Sequence, residues 1–300
     1  MFDLFGLDYF VDGSKRVFWL YLVSALMIAL LFFWKQRTIL KMQFSKEVLW
    51  HPSARLDYLY FGVMGIVKTL LLLPLLVGVN EVALWMVMMI QEVFGYVERI
   101  RVDRIWLITG YTTMLFVFND LTRYWLHRWM HTSSLLWRFH RVHHSAEVLN
   151  PMTFYRVHPI ENLLFGFRYA LTTGAITALF IYFFGAGIGV VEIFGANMIV
   201  FIFMLIGANL RHSHIPLRYP KRIEKWLISP YQHQLHHTTR YSRYNYGSTL
   251  AVWDWWFGSL LYSKDLTYID EPLRFGLLDE QPTHSLVGAF FNPFYKGIKL

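Results

Sequence analysis

Apolar and polar positions alternate along this chain in long blocks, with hydrophobic runs separated by short charged loops. The first run, Val17 to Trp34, carries no charge and is flanked by Lys15 and Arg16 before it and by Lys35, Arg37, Lys41 and Lys46 after it. A run of that length predicts a membrane-crossing helix, and the absence of a small-residue cleavage pattern reads it as retained rather than as a signal peptide. A second span is predicted over Tyr58 to Val79, interrupted by Lys68 and Pro74. The third stretch, Val82 to Val93, is shorter than a full crossing and reads as re-entrant or interfacial. From Ile105 to Leu126 the pattern begins apolar and turns polar at Asn119 and Asp120, which predicts a helix that delivers the following histidines to a membrane surface. Two further spans, Leu163 to Phe184 and Gly187 to Leu210, are predicted to form a hairpin around Gly185-Ala186-Gly187.

The expected architecture is therefore an all-α, multi-pass membrane protein of about four to six spans. It forms one domain over residues 1–300, with a cytoplasmic helical cap that carries the histidines. Composition agrees, since 55% of residues are hydrophobic and 16% charged, whereas soluble domains run near a quarter charged. The net charge of +8 sits in loops between spans, not on one basic face. That distribution fits membrane orientation and argues against nucleic acid as a partner. Lys35, Arg37, Lys41, Lys46 and Arg55 mark the loop after the first span as cytoplasmic, with the N-terminus outside and the histidines inside. Arg99, Arg101 and Arg104 run against that rule.

Histidine changes the picture most. The chain has 13 histidines against 20 acidic residues and no cysteine. Disulfides, thiolate zinc sites and cysteine-ligated clusters are thereby excluded, and any metal must sit on nitrogen or oxygen. Three clusters stand out: His127 with His131, His140 with His143 and His144, and His233 with His236 and His237. Spacings of three and four place side chains on one helical face, so each cluster can aim several imidazoles at one point. A single cluster reads equally well as interfacial histidines beside headgroups; three together point to metal. Eight ligands exceed what one zinc site takes, and two ions are the economical number. His212, emerging from the last predicted span, is a further ligand candidate. His51 and His284 read as ordinary surface residues. Asp120 and Asp254 are candidates to orient ligand N–H groups from behind.

On these residues the chain is similar to the fatty acid hydroxylase and sterol desaturase superfamily of integral-membrane di-iron oxygenases. The resemblance runs from Asn119 to Leu261, the catalytic region. It is carried by Asp120-Leu-Thr-Arg-Tyr-Trp-Leu-His127-Arg-Trp-Met-His131, by Leu136-Trp-Arg-Phe-His140-Arg-Val-His143-His144-Ser145, and by Asn150, Arg156, His158-Pro159 and Glu161. Tyr231-Gln-His233-Gln-Leu-His236-His237, Asn245-Tyr-Gly247 and Trp253-Asp254-Trp-Trp-Phe257-Gly258 complete it. The resemblance implies that His127, His131, His140, His143, His144, His233, His236 and His237 bind metal, with His212 as a ninth ligand. It leaves His158 open between ligand, outer partner and neither, and adds Asn245 to Asp120 and Asp254 as outer partners. His214 stands where many relatives carry Asn, so its role is open.

The resemblance further implies two iron ions, replaceable by zinc, with O2 as co-substrate and a lipid C–H bond as the target of hydroxylation or desaturation. The chain has no fused haem, flavin or ferredoxin motif, so electrons are expected from a separate reductase or small carrier. Arg218, Lys221, Arg222 and Lys225 form a basic run that reads either as its docking face or as a headgroup anchor. Trp253, Trp255 and Trp256 read as a tunnel lining or an interfacial hairpin. A different class remains to be weighed, a histidine-rich membrane metal transporter or metal-binding protein. Transport asks for ionisable residues along the spans, where Lys68, Arg168 and Glu192 are few.

Overall fold

The computed structural model describes residues 6–265, 273–278 and 284–295. Helix α1 (Trp19–Phe33) is followed by two short helices, α2 (Arg37–Gln43) and α3 (Lys46–Leu49). Next comes a helical path from α4 (Pro52–Val67) through a π turn and a 3-10 turn into α5 (Val79–Phe94). Pro74 lies in that 3-10 turn, where its missing N–H and bulky ring interrupt the α-helical ladder. Helix α6 (Arg104–Thr132) then returns, α7 (Ser134–His144) crosses its end, and α8 (Pro159–Phe184) leaves again.

Small residues set how these helices pack. A side chain at Gly174 would meet Val82 at 2.5 Å, and one at Gly166 would meet Leu76 at 2.6 Å, so α5 runs alongside α8 in the same direction. At the far end the Tyr182 hydroxyl donates to Gly95 O at 2.9 Å. Helix α6 runs antiparallel to α8, joined by the Tyr111 and Thr177 hydroxyls (2.7 Å) and by Asn119 Nδ2 donating to Thr173 Oγ1 (3.0 Å). Val82 to Val93 is thus not a separate re-entrant piece. It continues the helical path that begins at Pro52, and Pro52–Phe94 and Pro159–Phe184 are long and apolar enough to cross a membrane.

Two predicted spans differ. Gly187 to Leu210 is not one helix: it contains an antiparallel hairpin, β1 (Glu192–Ile193) with β2 (Ala196–Asn197), and then α9 (Met198–Leu205). Phe194, Gly195 and Gly207 adopt positive φ there, 49°, 76° and 93°, and each interrupts a right-handed helix. Helix α1 has 15 residues, a rise of about 22 Å against a hydrocarbon core of about 30 Å. Gly6, Tyr9 and Arg16, which precede it, line the same cavity as the histidines. The expected placement of the N-terminal segment on the opposite side from the histidines therefore does not hold.

The outward faces are apolar. On α1, Tyr21, Ala25, Ala29 and Phe33 pack inward, while Met27 and Leu31 are 65% and 70% exposed. On α5, Leu84, Trp85 and Met88 project outward in the same way. Surface helices in water carry polar residues on that side, so these faces suit a lipid surround. The rest of the chain, α10 (Lys221–Glu224), α11 (Pro230–His236), α12 (Val252–Trp256) and α13 (Leu286–Tyr295), gathers at the end where α6 finishes and α8 starts. A buried ion pair, Arg156 Nε to Asp57 Oδ1 at 2.5 Å, ties the start of α4 to the loop before α8.

Candidate metal centre

Each cluster reaches the centre from a different element. His127 and His131 lie one turn apart at the end of α6, and His140, His143 and His144 fill the last turns of α7. His212 ends a 3-10 turn after α9, and α11 supplies His233, His236 and its C-cap His237. Ser229 caps α11 through a reciprocal box with Gln232, which fixes where that helix starts and so where its histidines point.

The histidines sort into two groups that cut across the sequence clusters. His127, His131, His140, His144 and His236 form one, and His143, His212, His233 and His237 the other; within each group one ring nitrogen from every histidine lies within 4.8 Å of the others. The groups abut, with the His144 and His237 rings stacked at 4.7 Å. All nine histidines expected as ligands are therefore brought together, and His212 joins the second group.

Ring orientation shows what these groups suit. Nδ1 of His127 donates to Tyr246 O (2.7 Å), Nδ1 of His236 to Tyr244 O (2.8 Å), and Nδ1 of His140 pairs with Glu161 Oε1 (2.8 Å). Acceptors behind Nδ1 leave the Nε2 lone pairs facing inward. Those Nε2 atoms stand 3.1 Å apart for His127 with His140 and for His127 with His236. In the second group the separations are 3.1 Å for His212 with His237, 3.3 Å for His212 with His233 and 3.2 Å for His233 with His237. Nitrogens held about 2.1 Å from one ion lie about 2.9–3.4 Å apart, depending on the angle. Both groups therefore fit a metal ion. Nε2 of His131 and Nε2 of His144 are also buried without a hydrogen-bond partner among the described residues, an arrangement that costs about 1–3 kcal/mol each unless something satisfies them.

Burial keeps the rings neutral, as ligands must be. It pushes His140 and His143 down to about 3. His144, His212, His233, His236 and His237 also sit well below the usual imidazole value, through burial first and mutual repulsion second.

The outer partners differ from expectation. Asp120 touches no histidine: its carboxylate accepts from Thr249 N, Leu250 N and Trp253 Nε1 at 3.0–3.1 Å, so it anchors the 249–253 segment to α6. Trp253 is thereby a buried strut, while Trp255 and Trp256 are exposed. Asp254 acts one step removed. It accepts from Tyr246 N and Gly247 N (2.8 and 2.7 Å), holding the turn whose Tyr246 carbonyl orients His127. Asn245 does similar work, donating to Gln232 O and accepting from Leu261 N. His158 is a helix cap: its Nδ1 accepts from Ile160 N and its Nε2 faces Phe290 O, so it is turned away from both groups. His214 Nε2 accepts from Leu149 N and lies outside them as well. His51 and His284 flank Glu147, at 3.9 and 3.0 Å, in a half-buried group of their own. His51 Nδ1 accepts from Ser53 N, which puts its proton on Nε2, toward Glu147.

A cavity of about 250 Å³ borders both groups through His127, His140, His143, His212 and His233 and reaches Phe61 and Phe165. The sequence assigns Glu161 no role of its own; the structure makes it the carboxylate behind His140.

A model of the fatty acid hydroxylase family matches residues 112–259. Among curated proteins the chain is similar to a very-long-chain aldehyde decarbonylase of Arabidopsis thaliana, 33% identical over 48% of this chain and 22% of the relative. It is similar to a delta(7)-sterol 5(6)-desaturase of Aspergillus fumigatus, 28% identical over 51% of this chain and 49% of the relative. The lathosterol oxidase of Homo sapiens is 27% identical over 49% of this chain and 44% of its own length. The chain thus spans about half the length of these relatives or less. No solved structure matches it. Residues 112–259, which include all nine clustered histidines, are thus the part of the chain that matches the fatty acid hydroxylase family.

Proposed function

We propose that this protein is a membrane-bound non-haem di-iron oxygenase that uses O2 and two electrons from a separate donor to oxidise an unactivated C–H bond of a lipid. The observation that carries this reading is the pair of abutting, buried histidine groups with inward-facing nitrogens. His127, His131, His140, His144 and His236 would hold one ion and His143, His212, His233 and His237 the other, with zinc able to take the place of iron. Iron, when bound there, supplies the one-electron steps and O2 reduction that zinc does not. Hydroxylation consumes R–H, O2, two electrons and two protons and yields R–OH and water; desaturation removes two hydrogens and yields two waters.

The chain's own residues do the rest. Glu161 and the carbonyls of Tyr244 and Tyr246 hold three of the rings in register. The cavity leads from the histidines to Phe61 and Phe165, an apolar wall suited to a hydrocarbon chain. Its position on α4 and α8 lets a lipid enter without crossing water. The histidine-bearing end would face the cytoplasm, since the loop containing Lys35, Arg37, Lys41 and Lys46 lies on that side of the molecule. An electron carrier would approach there, near Arg218, Arg222 and Lys225. The nine histidines converge on two points at one end of the helices instead of lining a path along them, and this favours an enzyme over a transporter.

Purified protein, loaded with iron(II) in nanodiscs and supplied with a chemical reductant and ¹⁸O2, should convert an added lipid to a product carrying one labelled oxygen or lacking two hydrogens. His143→Ala should abolish this conversion and lower bound iron while the protein still inserts. Full turnover by His143→Ala would overturn the assignment.

A further inference from the structure

Three guanidinium groups converge on the cavity beside the histidines, and none has a carboxylate partner. Arg16 donates to Ser248 Oγ (3.3 Å) and lies over the Phe154 ring at 4.5 Å. Arg211 donates to Ser248 O (2.9 Å) and to Ala208 O (2.9 Å), so one serine joins the two arginines. Arg123 lies over the Phe165 ring at 5.1 Å and makes no hydrogen bond among the described residues. Its nearest acids are engaged elsewhere: Asp120 holds two backbone N–H groups and Trp253, and Glu161 holds His140. Lys68 adds a fourth cation at the cavity wall, 5.6 Å from the Tyr9 ring centroid. Against these, Glu161 is the one carboxylate among the described lining residues.

The arginines stand next to the histidines. Arg123 is one turn before His127 on α6, about 6 Å along the axis, and Arg211 directly precedes His212. Cations gathered around a largely buried cavity repel one another and are costly to bury unless an opposite charge completes the set. Bound metal would add further positive charge. Guanidinium groups that donate through only part of their fork keep N–H groups for a planar or tetrahedral oxyanion.

We propose that this cavity binds the anionic headgroup, carboxylate or phosphate ester, of an acyl-chain lipid, and that Arg16, Arg123 and Arg211 make the protein select such lipids over neutral ones. The apolar wall at Phe61 and Phe165 receives the chain. The selection rests on the oxygenase reading only for its purpose, because binding can be read without turnover.

The test is calorimetric titration of the metal-loaded protein in a neutral maltoside detergent without O2. The probes are dodecyl phosphate, dodecanoate, dodecanol and inorganic phosphate. Dodecyl phosphate or dodecanoate should bind at least tenfold more tightly than dodecanol and than inorganic phosphate, and Arg123→Gln should reduce that preference at least tenfold with its metal content unchanged. Equal binding of dodecanol would overturn the proposal, as would inorganic phosphate binding as tightly as dodecyl phosphate, or an undiminished preference in Arg123→Gln. Charge selectivity without turnover would count against the oxygenase reading alone; turnover of a neutral lipid without charge selectivity would count against the headgroup site alone.

Discussion

Glu161 and Asp120 are both buried carboxylates near histidine clusters, yet they hold different things. Glu161 backs His140 at 2.8 Å; Asp120 pins a loop. Outer partners of a metal-binding histidine typically carry 10–100-fold in metal affinity, so Glu161→Ala should release metal from the first group at correspondingly lower chelator concentration, read by competition with a chromogenic chelator. Asp120→Ala should instead lower thermal stability with less effect on metal affinity. The nine histidines were legible in the sequence because imidazole at helical spacing has few other uses in such numbers. Their division into two groups was not, since it depends on how α7 and α11 interleave: His143 leaves its own cluster to join His212, and His144 does not. The carbonyls of Tyr244 and Tyr246 were invisible for a different reason, because every residue carries one and only the fold, with Asn245 at φ 58°, aims them.

Helices α5 and α8 meet where Gly174 lets Val82 and the backbone of Ala83 approach. Gly174→Leu should force them apart, costing about 1–3 kcal/mol as overpacking does, and should lower the Tm of the purified protein while a Leu at Gly62, which faces open space, has a smaller effect. Hydropathy located the two helices long and apolar enough to cross a membrane but misjudged where one ended. It separated Val82 to Val93 from the Tyr58 to Val79 run at the polar pair Asn80 and Glu81, although both lie within α5. Hydropathy also joined Gly187 to Leu210 into one span, because an apolar hairpin and an apolar helix look alike when averaged. The positive-φ residues Phe194 and Gly195 that break it are a local backbone feature. Arg156→Leu tests another junction. It strands Asp57 in a site from which water is excluded, and loss of one partner of such a pair typically costs about 3–5 kcal/mol, measured as a fall in the denaturation midpoint.

Across the whole molecule, the apolar outer faces, the cavity and the histidine groups form one arrangement. Helices with apolar outer faces deliver their ends to a compact cap, and the cap is organised around nine neutral rings. The composition that first marks the chain, very apolar and rich in histidine, expresses this division between scaffold and centre. Because α6, α7, α11 and the 208–212 turn all contribute rings to the two groups, metal should hold the cap together: stripping it with a chelator should lower Tm and increase amide exchange in α7 and α11 more than in α8. The decisive measurement is the number of iron ions bound per chain after anaerobic loading, by elemental analysis of the purified protein and of two variants. Two are expected in the wild type, with His236→Ala and His233→Ala each keeping one. A wild-type count of one or none, or loss of both ions in each variant at full folding, would contradict two separate histidine-held sites.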